Sequence, residues 1–209
     1  MRDMPAAERA YELTKELVIT GELPGGLLLS EGDIAERLGV SRTPVREAFL
    51  RLQAEDLLTL IPKRGAVVVP ITPDEADDVL DAREAVEGAA VRRIVRRPEQ
   101  VPTVVATLER ILGEQERHYA AHDVDAFSTV DALFHRAIVE AGRNKLMLRF
   151  YTSLSDRQRR MGVHAFGPDP GLMPEALRQH RELISTIEAL DAEAFASTLR
   201  SHLDGMHRR

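Results

Sequence analysis

The stretch Ser30-Glu31-Gly32-Asp33-Ile34-Ala35-Glu36-Arg37-Leu38-Gly39-Val40-Ser41-Arg42-Thr43-Pro44-Val45-Arg46-Glu47-Ala48-Phe49 decides the fold of the first third of the chain. Ser30 has the side chain of a helix N-cap, and Asp33 stands in the first turn behind it. Ile34, Ala35 and Leu38 give this helix one apolar face, and Gly39 stops it. Ser41 caps the next helix. Pro44 lies in its first turn, and Val45, Ala48, Phe49 and Leu52 form its inner face. Two short helices joined by a tight turn make a helix-turn-helix unit.

Upstream, residues 6–20 carry a helical stripe at Ala10, Leu13, Leu17 and Val18, ended by Thr20-Gly21 and Pro24-Gly25-Gly26. Downstream, Leu57–Ile61 and Ala66–Val69 are β-prone runs around Pro62-Lys63-Arg64-Gly65, which predicts a hairpin. Helix, helix, turn, helix and hairpin together form a winged helix-turn-helix over residues 1–72. Pro70 to Pro73 marks a boundary, and Thr72 with Glu75 three positions on reads as a capping box. Residues 73–209 then read as a second, all-α domain, an antiparallel helical bundle. Its expected helices lie near 73–96, 98–121, 123–141, 144–165, 174–189 and 192–207. The chain is thus mainly α, with one small β-hairpin.

At 209 residues and 44% hydrophobic, the chain is long and apolar enough for two cores. It has no cysteine, so any metal site must use histidine and carboxylate. No apolar run approaches the roughly 20 residues of a membrane span, and the first residues lack a signal-peptide core. A cytoplasmic protein is expected. The net charge of −6 does not advertise a nucleic-acid partner. Charge is local: residues 37–64 hold six basic and three acidic side chains. A case for DNA must rest on geometry. A helix fits the major groove and reads base edges with its N-terminal side chains, here Ser41, Arg42, Thr43 and Arg46. Lys63, Arg64 and Gly65 at the hairpin tip suit backbone or minor-groove contact. The plainer alternatives are surface charges and an ordinary turn.

A second constellation lies in the helical part. Asp131 and His135 are four apart and share a helix face. His180 and His202 stand eleven positions on either side of Asp191, where a fold-back would bring them level. One carboxylate and three imidazoles then converge, a ligand set for one divalent ion. Zinc is the first candidate, with nickel, manganese and iron as alternatives that affinity order alone does not separate. His118, His122, His164 and His207 read as core or surface residues. Arg83 stands one turn before Glu87. It either forms a surface ion pair or points into the bundle toward a carboxylate ligand. Asn144, after the helix-ending Gly142, suits a turn or cap, with an effector contact as the second reading.

The segment from Leu29 through Ala48, with its Gly-Val-Ser-Arg-Thr-Pro-Val-Arg-Glu-Ala core, resembles the DNA-binding signature of the GntR family of bacterial transcription regulators. The pattern Arg83…Glu87, Asp131-x-x-Phe134-His135, Gly142-x-Asn144, His180 and His202 resembles the ligand-sensing FCD domain of its FadR subfamily. The resemblance implies a regulator binding double-stranded operator DNA as a homodimer. It also implies a small carboxylate or sugar-acid effector in the helical domain, with Arg83 and Asn144 as candidate contacts. Two positions depart from the pattern: Gly32 stands where an arginine is usual, and Asp56 where glycine is usual. Two other functions fit the ligand set, a metal-dependent enzyme and a sensor of the metal itself. No general base or nucleophile motif accompanies the set, which favours a regulator over an enzyme.

Overall fold

The structure is a computed structural model and describes residues 4–169 and 171–207; the side chains of Met206 and His207 and all of Pro170, within the expected 167–171 break, lie outside the described residues. The chain divides into two separately packed units, residues 1–72 and 73–209. No helix of the described residues is long and apolar enough to cross a membrane.

In the first unit, α1 (Ala6–Ile19), α2 (Glu31–Leu38) and α3 (Arg42–Ala54) precede strands β2 (Leu58–Ile61) and β3 (Gly65–Val68). Ser30 caps α2 through a bond from the Asp33 N–H at 3.0 Å, and Gly39 ends it with φ +63°. Ser41 stands at the N-cap of α3, yet its hydroxyl makes no capping bond. Val45, Ala48, Phe49 and Leu52 are fully buried and pack with Ala10, Val18, Ile34 and Leu58. Asp56 takes φ +58°, the left-handed conformation that glycine would adopt more readily.

A two-residue strand that the sequence reading did not anticipate, β1 (Leu28–Leu29), joins the hairpin, giving the antiparallel order β1-β3-β2. It is too short for its periodicity to show. Gly65 explains how it fits. A Cβ at this position would lie 2.0 Å from the Leu29 carbonyl oxygen, and its φ is +110°. The close backbone approach that Gly65 makes within the chain is to β1. The wing is pinned to the start of α2 by it.

The second unit holds α4 (Pro73–Ile94), a 3-10 turn at Pro98–Gln100, α5 (Val101–Ala120), α6 (Val124–Ala141), α7 (Lys145–Thr152), α8 (Ser155–Phe166), α9 (Leu172–Glu188) and α10 (Ala192–His207). α6 packs against α4, α5 and α8, while α9 packs against α5 and α10. The single helix expected over 144–165 is two helices. No proline or glycine marks the break. The Thr152 and Ser153 hydroxyls bond to the carbonyls of Leu148 and Phe150, competing with the helical ladder. Tyr151 beside them is pulled into the core. The α9–α10 turn matches the predicted fold-back, with the Asp191 carboxylate accepting from the N–H groups of Glu193 and Ala194. Gly142 permits another close approach, since a Cβ there would fall 2.8 Å from that of Ala90 on α4.

Candidate metal centre

Asp131 and His135 project from α6, His180 from α9 and His202 from α10, and all four are buried. One ligand atom from each lies within 4.8 Å of the others. The His135 Nε2 is 3.2 Å from that of His202 and 3.3 Å from that of His180. The His180 Nε2 is 3.5 Å from an Asp131 oxygen. Phe134 stacks on the His180 ring at 4.1 Å between centroids and fixes its plane.

The opposite edges of the rings fix the tautomers. The His135 Nδ1 lies 2.7 Å from a Glu87 oxygen, that of His180 2.8 Å from the Gln115 amide oxygen, and that of His202 2.8 Å from the Gln179 amide oxygen. Gln115 is oriented by its own N–H₂ donating to Asp131 at 3.1 Å, so its oxygen faces His180. Acceptors at every Nδ1 favour the proton there, the tautomer that turns three Nε2 lone pairs and the Asp131 carboxylate toward one another. A divalent cation satisfies that arrangement. Separations of 3.2–3.3 Å between Nε2 atoms match neighbouring ligands that each sit about 2.0–2.1 Å from a metal. Outer acceptors on every ring are the usual support for such ligands.

Glu87 and Arg83, both on α4, complete the buried shell. One Glu87 oxygen accepts from the Arg83 Nε at 3.2 Å and from the Tyr151 hydroxyl at 2.6 Å, and the other accepts from His135. Arg83 pairs with Glu87 as expected, but the pair lies inside the bundle and not on the surface. Its Nη2 has no hydrogen-bond partner among the described residues. Burial, opposed by Arg83 and Gln115, pushes the Asp131 carboxyl up to about 6. Burial, with His135 and Arg83 nearby, holds His180 well below its usual value and keeps it neutral. Protons therefore compete for Asp131 below about pH 6, and metal affinity should weaken there.

Asn144 is not brought to this cluster. Its side-chain oxygen accepts from the N–H groups of Leu146 and Met147 and starts α7, which is the cap role. Glu87, Gln115, Gln179 and Tyr151 were not singled out as parts of the site by sequence. Gln115 had a signal, continuing the apolar stripe Val104, Leu108 and Ile111 on α5.

In the first unit, Arg42, Arg46, Lys63, Arg64 and Gly65 line one cleft of about 730 Å³ between α3 and the wing. Arg42, Lys63 and Arg64 form no ion pair among the described residues, whereas Arg46 pairs with Glu31. A Cβ at Gly32 would touch the Arg42 guanidinium at 3.2 Å, so the departure at residue 32 makes room for that arginine.

Residues 6–68 match the family described as bacterial regulatory proteins, gntR family, and residues 78–205 match the FCD domain. The chain belongs to the GntR family. An uncharacterized HTH-type transcriptional regulator of Streptomyces ambofaciens is 32% identical over 196 residues, covering 92% of this chain and 80% of that protein. The gluconate operon transcriptional repressor of Bacillus subtilis is 36% identical over 132 residues, covering 63% and 53%. A solved GntR-type putative regulator from Rhodococcus sp. RHA1 has a TM-score of 0.77 at 24% identity, covering 95% and 94% of the two chains. This GntR-family chain is therefore a DNA-binding transcription regulator with an FCD domain, and its relatives are named as regulators, not enzymes.

Proposed function

We propose that this GntR-type regulator is a homodimeric cytoplasmic repressor. Its operator affinity is set by a small carboxylic acid bound beside one divalent metal ion in the helical unit. The observation that carries the reading is the set of three Nε2 lone pairs converging on Asp131, each ring turned by an outward acceptor. Asp131, His135, His180 and His202 hold the ion. Three imidazoles and a carboxylate suit zinc, the first candidate, and equally nickel, manganese or iron. The bound ion supplies a positive centre where a carboxylate can replace water. Arg83 supports the same ligand, because its buried Nη2 has no acceptor among the described residues. Sugar acids are the first class to screen, since one relative is named for a gluconate operon.

On DNA, Ser41, Arg42, Thr43 and Arg46 read the major groove, and Lys63 and Arg64 grip the backbone from the wing. The uncapped Ser41 hydroxyl and the lack of an ion pair for Arg42, Lys63 and Arg64 among the described residues support this assignment. Two chains on a twofold axis read two half-sites. Arg46→Ala should cost about 1–3 kcal/mol of operator binding and relax preference at one base pair. Arg64→Ala should weaken all duplexes alike and flatten the salt dependence, as titrations at two ionic strengths will record.

Arg83→Ala should retain the metal and weaken the acid. A thermal-shift screen of the zinc-loaded protein against sugar acids tests this. An acid present at 100 times its dissociation constant stabilises the wild type by about 2.7 kcal/mol, and the variant should lose most of that gain. An Arg83→Ala protein with an undiminished shift would remove Arg83 from the effector site.

A further inference from the structure

We infer that Glu31 is a positioning residue for base recognition: it clamps Arg46 by one edge of its guanidinium and leaves the other edge free for a guanine. The inference rests on the reading of Arg46 as a base contact. The Arg46 Nε donates to one Glu31 oxygen at 2.9 Å and its Nη2 to the other at 3.1 Å. This two-bond pairing occupies the side edge of the guanidinium. The Nη1 hydrogens and the second Nη2 hydrogen remain, and these form the fork that pairs with guanine O6 and N7. Arg46 is 70% exposed along its side chain and Glu31 only 23%. The acid is thus rooted in the fold while the arginine reaches outward.

Three features fix Glu31 in place. It is the first residue of α2, directly after the Ser30 cap. The backbone of Leu29 and Ser30 before it is held against Gly65 of the wing. Gly32 after it leaves space for Arg42, so the two arginines do not compete for one position. An arginine held in this way loses less freedom on binding than a free one. The carboxylate has a second effect. It places a negative charge in the DNA-facing cleft, where it opposes indiscriminate contact with phosphates and penalises an Arg46 that swings to the backbone.

The test uses the full-length protein and a pool of duplexes randomised over a central window, enriched in parallel by wild type, Glu31→Gln and Arg46→Ala. Glutamine keeps the size but replaces one acceptor by a donor, which breaks the clamp. Wild type should enrich an inverted repeat with a fixed guanine in each half. Glu31→Gln should keep the repeat but lose preference for that guanine by about 5- to 150-fold, the range of one base contact. It should also bind the unselected pool as tightly as wild type or more tightly. If Glu31→Gln keeps the guanine at full strength while Arg46→Ala loses it, the positioning role is wrong and the DNA reading stands. If Arg46→Ala keeps it too, the reading of Arg46 itself is wrong. A Glu31→Gln protein that loses every preference together with thermal stability would show a merely structural role and overturn the inference.

Discussion

Replacing Glu87 by alanine is expected to destabilise the helical unit by about 3–5 kcal/mol, the range for breaking a buried ion pair from one side. Glu87 is wholly buried and satisfies three donors: the Arg83 guanidinium, the Tyr151 hydroxyl and the His135 ring. Its removal leaves a buried cation without a counter-charge and a buried hydroxyl without an acceptor. The bond from the His135 Nδ1 to Glu87, which sets that tautomer, is also lost. Metal affinity should therefore fall by about 10- to 100-fold, as for other outer partners of metal-bound histidines. Glu87→Gln separates the two effects. It keeps the shape and one acceptor, so it should fold better than the alanine variant while still binding metal less tightly. Urea unfolding with and without zinc measures both quantities.

Replacing His180 by alanine is expected to abolish stoichiometric metal binding. Three ligands remain, but the one that Phe134 stacks on and Gln115 orients is gone. A metal present at 1,000 times its dissociation constant contributes about 4.1 kcal/mol of stability, and the variant should forfeit it. Wild type should melt at a lower temperature after chelation, whereas His180→Ala should melt at the same temperature with or without chelator. DNA contacts of the N-terminal unit should survive in the variant, since all four residues of the cluster belong to the helical unit. Equal stabilisation of both proteins by zinc would remove His180 from the ligand set.

Much of this was legible in the residues. Ser30 and Gly39 bracket α2 because their local chemistry works without tertiary help. Asp131 and His135 share a face by helical geometry, and the capping Asp191 announces the turn that brings His180 and His202 together. What escaped depends on contacts distant in sequence. β1 exists because β3 offers it partners, not because Leu28-Leu29 asks for a strand. The α7–α8 break lacks proline or glycine and follows from side chains bonding back to the helix. Gln115 continues a buried stripe and Gln179 resembles a surface amide, and neither shows its role until its oxygen meets His180 or His202. Arg83 and Glu87 posed a false choice, because an i,i+4 pair can also lie in the core. Arg46 was read as a base contact with a plain surface charge as the alternative, and neither reading shows its partner Glu31, fifteen residues earlier on another helix.

The most direct measurement is the metal content of the full-length protein after zinc reconstitution and gel filtration, taken beside its affinity for an enriched operator duplex with and without a sugar acid. The account predicts one ion per chain in the wild type, none retained in His180→Ala, and an acid response only in the metal-loaded protein. A wild-type chain that holds no ion, yet changes its operator affinity normally when the acid is added, would contradict it.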